Sequence, residues 1–330
     1  MNIFIIETEL QALGAVGILK QVKGDSYIFT RNLKLKNYLS ERCETPISIM
    51  NREHRGGWLG KAFYIWRCIF QVSKVLAGCK SVDFYMSRMD SVYNNSIYSY
   101  FSKGMKTSFH MTPDGSLNYF CGATPTEKIL EMKKWRSRLS LLTFGKVPIT
   151  LFYENELGGE LAESVCCLGG VKPGWASDEQ VMEIEFPIDA DNVKNDGDIL
   201  IIGQNLKYYK LVDDVLFNRI QGAIERLVDY LPSRKIYYVK HPRAVENEFS
   251  INGSELPQGN YLCVEELISS GKYQHVISCC SSALINAKLM AGDSINCWAV
   301  GVEHYPFPSD NQKQQLLGIY KNLGVQIIDL

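Results

Sequence analysis

Short apolar segments alternate with amphipathic segments along almost the whole chain. The apolar segments are rich in β-branched and aromatic residues, which favour strands, and helical segments fill most of the gaps between them. The alternation is typical of parallel sheets, because two parallel strands are joined by a crossover that is usually a helix. The sequence therefore predicts an α/β fold with parallel sheets.

The pattern also gives the approximate positions of the elements. In the first half it predicts strands at 3–6, 27–30, 47–50, 82–86, 106–111 and 149–153. In the second half it predicts strands at 198–203, 235–239, 261–264, 276–280 and 295–300, and helices at 212–231, 265–270 and 282–290. The helix at 212–231 has its apolar residues on one stripe at the helical period, Leu216, Ile220, Ala223, Ile224, Leu227, Val228 and Leu231.

The length of 330 residues favours two domains. Three glycines and a proline interrupt the pattern at 168–174, which is the candidate linker. We therefore predict a first domain at 1–168 and a second at 175–330, with the last helix packing back on the first domain. Two such domains enclose a cleft, and ligands of open α/β sheets bind at the carboxyl ends of the strands.

Composition limits the class of protein. The net charge of -1 argues against a general nucleic-acid binder, which needs a concentrated basic surface. The ten cysteines include no Cys-x-x-Cys pair, and two pairs are directly adjacent, at 166–167 and 279–280. They are interpreted as small buried apolar residues in a reducing cytosol. The first residues form a strand and not a signal sequence, and no apolar run approaches the ~20 residues of a membrane span.

Two strand ends in the second half carry polar groups suited to a phosphate. The first is Lys240-His241-Pro242, where the proline stops the strand behind the histidine. The second is Ser281-Ser282, which opens a helix. A helix start offers backbone N–H groups and a positive dipole end, and the serine hydroxyls add donors. A turn histidine and a plain helix cap are the alternative explanations.

Other polar residues are weaker candidates. Gly203 and Gln204 follow the first strand of the second half, where glycine permits close approach of a ligand or is a simple strand exit. Glu265 and Glu266 begin a helix and suit either its dipole or ribose hydroxyls. Asp114 lies in a Pro-Asp-Gly turn after a strand, where a carboxylate could deprotonate an acceptor hydroxyl.

Three further groups have mainly non-catalytic interpretations. Asp189-Ala190-Asp191 is similar to the metal-chelating Asp-x-Asp of one class of glycosyltransferases, but it lies away from the strand ends, so no metal site is expected. A basic run is either a solvated helix face or a contact with an anionic membrane, Lys128, Lys133, Lys134, Arg136 and Arg138. Acceptor contacts are expected in the first half, from a polar-aromatic loop, Arg52, His54, Arg55 and Trp58.

The order Asp114-Gly115, His241-Pro242, Ser281-Ser282 across two α/β halves resembles the bacterial sialyltransferases. The chain looks like glycosyltransferase family 52, which includes lipooligosaccharide α-2,3-sialyltransferases. Similar motif sets occur in the bacterial polysialyltransferases and the Pasteurella-type sialyltransferases. The resemblance implies a GT-B fold of two Rossmann-like domains facing across a cleft, and inverting transfer from CMP-sialic acid without a cofactor or metal.

The resemblance also implies roles for the motif residues. His241 would act on the phosphate of CMP, Ser281 and Ser282 would hold that phosphate, and Asp114 would be the base. Other residues would line the nucleotide site, Gly203, Gln204, Lys240, Pro242 and one of Glu265 or Glu266. Because Pro113 stands where several relatives carry a second acid, Asp213 or Asp214 is the reserve base.

The implied partners are a nucleotide sugar and a glycan or glycolipid acceptor of a bacterial surface polysaccharide, such as lipopolysaccharide or O-antigen. The implied location is the cytoplasm, with peripheral contact with the inner membrane and homodimer formation left open. Three alternatives remain: a GT-B transferase for another donor such as CMP-Kdo or a UDP- or GDP-sugar, a Ser-His-Asp hydrolase, and a non-catalytic sugar-binding relative. The hydrolase lacks support because the chain has no Gly-x-Ser-x-Gly elbow.

Overall fold

The computed structural model describes twelve ranges of the chain, residues 1–50, 57–89, 91–115, 159–186, 197–207, 211–232, 235–241, 244, 247–259, 261–270, 272–307 and 309–330. They fall into two compact units, Met1–Pro187 and Ile188–Leu330. Each unit is built on one sheet whose strands are all parallel. The predicted α/β class with parallel sheets is confirmed.

The first unit has a seven-stranded sheet in the order β3-β2-β1-β4-β5-β6-β7. Its strands are β1 (Asn2–Ile6), β2 (Ser26–Thr30), β3 (Ile47–Ile49), β4 (Ser81–Met86), β5 (Lys106–Met111), β6 (Ser164–Leu168) and β7 (Val181–Ile184). Its described helices are α1 (Glu9–Leu19), α2 (Leu33–Ser40), α3 (Gly57–Val75) and α4 (Val92–Phe101). The predicted strand at 149–153 lies outside the described residues.

The second unit has a six-stranded sheet in the order β10-β9-β8-β11-β12-β13. Its strands are β8 (Asp198–Ile202), β9 (Ile236–Val239), β10 (Ser254–Glu255), β11 (Tyr273–Ser278), β12 (Asn296–Val300) and β13 (Gln326–Ile328). Its described helices are α5 (Asp214–Tyr230), α6 (Val264–Ser269), α7 (Ser282–Ala291) and α8 (Asp310–Asn322).

Burial explains why these segments form sheets and helices. All five residues of β1 and all five of β8 are buried, which is typical of a parallel strand covered on both faces. The apolar stripe of α5 turns inward, with Phe217, Ile220 and Ile224 buried, and Asp213 caps its start by accepting a hydrogen bond from the Leu216 N–H at 2.7 Å. The predicted helix at 212–231 is thus confirmed, two residues shorter at its start and one at its end.

The sheet corrects the prediction that residues 168–174 link the two domains. Residues 168–174 connect β6 to β7, which pair with each other, so this glycine-rich segment lies inside the first unit. The division falls instead between Pro187 and Ile188. Gly169 and Gly170 have φ of 59° and 73°, so glycine is favoured at both positions by a turn between two strands and not by a domain boundary.

One predicted strand is wrong. Residues 261–264 form no strand, because they lead directly into α6. The Leu262 N–H, which a strand would use in its ladder, donates instead to Glu266 Oε2 at 2.7 Å. The last helix, α8, packs on its own unit through buried Leu316 and Tyr320.

The cysteines agree with their interpretation as buried thiols. Nine are described, all are unpaired, and six are buried, Cys68, Cys166, Cys167, Cys279, Cys280 and Cys297. Burial raises the pKa of the Cys279 thiol to about 12.

None of the helices that the structure describes is long and apolar enough to cross a bilayer.

Candidate functional site

Three neighbouring strands of the second unit end in predicted site residues. Strands β9, β8 and β11 are adjacent and parallel, so their carboxyl ends lie side by side at one edge of the sheet. The residues that follow them there are Gly203 and Gln204 after β8, Lys240 and His241 after β9, and Ser281 and Ser282 after β11. The fold therefore brings these six residues to one edge, while Pro242 lies outside the described residues.

The serine pair opens α7. Ser281 is its N-cap, and its hydroxyl accepts a hydrogen bond from the Ala283 N–H at 3.2 Å. Tyr320 fixes the same corner, because its hydroxyl donates to the Ser281 carbonyl at 3.0 Å. Ser282 is the first helical residue and is half-buried. The start of α7 therefore combines a positive dipole end with a hydroxyl on each of two successive residues, which suits an anion.

His241 is half-buried and lies two residues beyond the end of β9. Its Nδ1 atom is 3.4 Å from Nδ2 of Asn205, which follows β8. Because an amide NH₂ group can only donate, this contact favours the neutral tautomer in which Nδ1 accepts and Nε2 carries the proton. This tautomer gives His241 an N–H donor on the ring atom opposite to Asn205.

The loop after β8 is held in an unusual conformation. Asn205 has a φ of 62°, the left-handed region that asparagine tolerates better than most residues. The Glu248 carboxylate accepts three backbone hydrogen bonds from this loop, from Gln204 at 3.0 Å, Asn205 at 2.8 Å and Lys207 at 3.1 Å. Glu248 therefore fixes the backbone from which Asn205 reaches His241.

Gly203 and Gln204 join the three strand ends to each other. A Cβ atom at position 203 would collide with the Tyr238 hydroxyl, so glycine is required for the close packing of β8 against β9. The Gln204 side chain accepts a hydrogen bond from the Cys280 N–H at 2.9 Å, which ties the loop after β8 to the turn before α7. Gly203 and Gln204 therefore hold the end of β8 against β9 and against the turn before α7.

The two glutamates of α6 have structural partners. Glu265 is buried and accepts a hydrogen bond from the Asn286 amide of α7 at 2.8 Å. Glu266 accepts from the Leu262 N–H and so ties the chain before α6 to its own helix. Their proposed contact with a ribose stays a prediction, and each carboxylate already has a hydrogen-bond partner within the protein.

In the first unit, Asp114 lies at the carboxyl edge of the sheet, just after β5. Its Oδ1 atom accepts hydrogen bonds from Gln11 Nε2 at 2.7 Å and from the Thr8 hydroxyl at 3.2 Å. Thr8 is the N-cap of α1, so Asp114 is held against the positive end of that helix. Pro113 is buried against Gly14 of α1, which explains how a proline fits beside the aspartate.

The environment of Asp114 changes its acidity. Burial raises the pKa of its carboxyl above the ordinary value, and the hydrogen bond from Gln11, the charge of Arg88 and the hydrogen bond from Thr8 oppose that shift. A carboxyl with a raised pKa is a stronger base when it is ionised. Asp114 is therefore suited to accept a proton from a substrate.

The same edge holds a second polar group that sequence reasoning missed. Arg31 follows β2 and pairs with Glu7, which follows β1. The Arg31 guanidinium lies over the Tyr93 ring, 4.7 Å from its centroid, and only 10% of its side chain is exposed. Its Nε atom has no hydrogen-bond partner in the part of the chain that the structure describes. A buried guanidinium at the same sheet edge as Asp114 is suited to bind a polar or anionic group of a substrate.

Several predicted residues cannot be placed or have other roles. Asp189, Asp191 and the acceptor candidates Arg52, His54 and Arg55 lie outside the described residues, as do the Trp58 side chain and the basic run from 128 to 138. Of the reserve bases, Asp213 caps α5 and Asp214 pairs with Lys207 at 3.5 Å on the surface. Within the described ranges, no group of three His, Cys, Asp or Glu side chains could hold a metal ion.

Sequence reasoning also missed Asn205, Glu248, Thr8 and Gln11. Each supports a predicted residue and does not belong to a recognisable motif. A left-handed asparagine after a strand and a glutamate far along the chain give no pattern in one sequence. Only the positions of Thr8 and Gln11 carried a signal, since threonine three residues before glutamine is typical of a helix start.

A family model for alpha-2,8-polysialyltransferases matches residues 176–295. The match includes the strand ends with Asn205, His241, Ser281 and Ser282. No curated protein matches the whole sequence significantly. The match covers about a third of the chain and supports a glycosyltransferase as the class of enzyme.

Two solved structures have the same overall fold. The kitacinnamycin glycosyltransferase aligns with a TM-score of 0.52 and 7% identity, covering 100% of this chain and 86% of its own. A protein from Listeria monocytogenes described as a UDP-N-acetylglucosamine 2-epimerase aligns with a TM-score of 0.52 and 9% identity, covering 97% and 88%. Together with the two parallel sheets, these similarities confirm the predicted GT-B fold class.

Proposed function

We propose that this protein is an inverting, metal-independent sialyltransferase. It would transfer sialic acid from CMP-sialic acid to a galactose-type hydroxyl of a bacterial surface glycan. The observation that carries the proposal is the arrangement of His241 and the Ser281-Ser282 helix start on one sheet edge, inside the segment that matches the polysialyltransferase family. A phosphate bound at this edge could depart as part of a leaving group, because the hydrogen-bond donors and positive charge there would stabilise the negative charge that it gains.

The chemistry of the donor explains why such donors are needed. Departure of CMP leaves an oxocarbenium-like carbon and places negative charge on the phosphate. The α7 start with Ser281 and Ser282 would bind that phosphate, and His241 would donate the Nε2 proton to it. Lys240 beside His241 adds positive charge. These groups stabilise the leaving phosphate without a divalent cation.

The acceptor hydroxyl needs a base on the other side of the reacting carbon. In this proposal Asp114 takes that proton, because its raised pKa and its fixed position at the α1 start suit the role. Arg31 and Glu7 lie at the same sheet edge and would orient the acceptor sugar. Inversion follows when the base and the leaving group act on opposite faces of the sugar.

The proposed partners follow from these roles. The donor is a nucleotide sugar and the acceptor a glycan or glycolipid, such as a precursor of lipopolysaccharide or O-antigen. Gly203, Gln204, Pro242 and the glutamates of α6 would complete the nucleotide site. The proposed location is the cytoplasm, and both peripheral contact with the inner membrane and homodimer formation are compatible with the proposal.

A donor panel tests the proposal. CMP-sialic acid, CMP-Kdo, UDP-N-acetylglucosamine and a GDP-sugar are each offered with a galactose-terminated acceptor, and product is measured by mass spectrometry with and without EDTA. The expected result is transfer from CMP-sialic acid alone, unchanged by EDTA. Transfer only from a UDP- or GDP-sugar would contradict the donor, and activity that needs a divalent metal would contradict the mechanism.

A further inference from the structure

The outer face of α3 exposes large apolar side chains. Leu59, Phe63 and Phe70 are 63%, 73% and 60% exposed. Their spacing of four and seven residues places them on one face of the helix, over a length of about 16 Å. Most surface helices turn such residues inward, so an apolar stripe in water needs a partner.

The opposite face of α3 already has its own partner. Ile65, Cys68 and Val72 are buried in the core of the first unit, together with Ala62 and Ile69. The exposed stripe is therefore additional to the face that holds the helix on the sheet. Substitutions on the stripe can change binding without removing core contacts.

The charge around the stripe is of one sign. Residues 57–82 contain no aspartate or glutamate but include Lys61, Arg67, Lys74 and Lys80. Arg67 and Lys74 are exposed and lie at helical positions beside the stripe. The Lys74 ammonium lies over the Phe70 ring, 4.5 Å from its centroid. An aromatic stripe flanked by cations is typical of helices that lie in the headgroup region of anionic membranes.

We propose that the outer face of α3 docks on an anionic phospholipid bilayer, with the helix parallel to the surface. A second copy of the chain fits less well. A symmetric dimer through this face would bring Arg67 and Lys74 of both copies together without an acidic residue from the helix to pair with them. An anionic headgroup layer supplies the missing negative charge.

The position of α3 gives the docking a purpose, on the assumption that the proposed transferase function holds. The helix follows β3, so its Leu59 end lies at the carboxyl edge of the first sheet and its Lys74 end lies at the other edge. Asp114 lies at that same carboxyl edge. Docking would thus bring the candidate base near a bilayer that carries a lipid-linked acceptor.

Vesicle sedimentation tests the surface without any enzymatic readout. The full-length protein is mixed with vesicles of phosphatidylglycerol and phosphatidylethanolamine, or of phosphatidylcholine alone. Two variants alter the surface, Phe63→Gln with Phe70→Gln, and Arg67→Glu with Lys74→Glu. Two control variants make comparable changes elsewhere. Val215→Gln with Tyr230→Gln removes two highly exposed apolar side chains of α5, and Lys103→Glu with Lys106→Glu reverses two exposed charges.

The expected result is binding to the anionic vesicles, weakened by salt, and at least about tenfold weaker in both α3 variants. The control variants should bind as the unmodified protein does. Failure of the protein to bind anionic vesicles, or equal binding by the α3 variants, would overturn the proposal. If light scattering shows a dimer that only the Phe63 and Phe70 variant dissociates, the face is a contact between copies instead. A negative result in the donor panel would leave this outcome unaffected.

Discussion

The side-chain amide of Asn205 lies 3.4 Å from Nδ1 of His241, across the ends of two adjacent parallel strands. The contact joins a residue that no motif contains to the residue on which the candidate chemistry depends. Because the amide is a donor, the contact favours the neutral tautomer with its proton on Nε2. Because Glu248 holds the backbone of Asn205, this contact depends on three residues from separate parts of the chain.

Changing Asn205 should change the His241 tautomer. Asn205→Asp keeps a side chain that tolerates the left-handed φ of 62°. Its carboxylate, however, would accept a hydrogen bond from the Nδ1–H group and raise the pKa of the imidazole. Asn205→Gly keeps the backbone and removes only the amide. We expect ¹⁵N spectra of the imidazole to show the Nε2–H form in the unmodified protein, a mixture in the glycine variant and the Nδ1–H form in the aspartate variant.

The matching kinetic expectation is a fall in kcat of about tenfold or more for Asn205→Asp, smaller than the ~10²–10⁴-fold contribution of a general acid. The His241 signal is assigned by its absence in His241→Ala. An unchanged ring tautomer in the aspartate variant would contradict the positioning role, whether or not the protein is active.

Loss of the Glu248 charge should loosen the loop after β8. Glu248→Gln leaves one acceptor oxygen and places an NH₂ group against backbone donors, so at least one of three hydrogen bonds is lost. The expected destabilisation is about 1–3 kcal/mol, measured by urea unfolding. Glu255→Gln is the matched control, because Glu255 is more than half exposed and its carboxylate faces Lys235 at the long distance of 3.9 Å. Equal stability of the two variants would show that Glu248 does not hold the loop.

Alanine variants of Ser281 and Ser282 should separate the effect of helix capping from the effect of phosphate binding. Ser281→Ala removes the N-cap of α7 and should cost about 1 kcal/mol of stability as well as CMP affinity. Ser282→Ala should reduce the thermal stabilisation by CMP with little change in stability without it. Ser309→Ala, which removes the N-cap of α8, is the control for capping alone. Normal stabilisation of the Ser282 variant by CMP would remove that residue from the phosphate site.

Asp114→Asn should separate stability from activity as pH changes. Because burial raises the pKa of Asp114 in the folded protein, the stability gained from its neutral form is present below the unfolded value of ~3.9 and is lost as pH rises through the folded value. The neutral asparagine should therefore unfold at a higher temperature near pH 7, and the gain should vanish in acid. The variant should also lose transfer activity.

The acid limb of the pH–rate profile gives a second readout of Asp114. Its midpoint should lie above the usual range of an aspartate, because the base must be ionised to act. An Asp114→Asn protein with normal turnover would exclude Asp114 as the base. A variant less stable at pH 7 than in acid, relative to the unmodified protein, would contradict the burial effect.

The fold was largely predictable because its signal is local. Strands such as β1 at Asn2–Ile6 lie within one residue of the predicted bounds, since an apolar run between polar residues leaves few alternatives. The domain boundary was not predictable in the same way, because glycines such as Gly169 and Gly170 suit a turn within a sheet as readily as a linker. Strands β6 and β7 join that sheet by long-range pairing, which a local pattern does not reveal.

The candidate site was predictable only in its strand-end residues. His241 and Ser281 follow apolar strands, and parallel pairing brings such ends to one edge. The supporting residues come from contacts between distant segments, such as Gln11 with Asp114 and Glu248 with the 204–207 loop. The bond between Asn286 and Glu265 is a further contact of this kind, since a carboxylate at a helix start gives no sign in the sequence of such a partner.

CMP release from CMP-sialic acid in the presence of a galactose-terminated acceptor tests the central claim most directly. It is measured for the unmodified protein, for His241→Ala and for His304→Ala, a control whose exposed ring pairs with Asp329 at 2.9 Å. The account predicts EDTA-resistant release by the unmodified and His304→Ala proteins, and a loss of about 10²–10⁴-fold in a folded His241→Ala protein. Near-normal release by His241→Ala would contradict it.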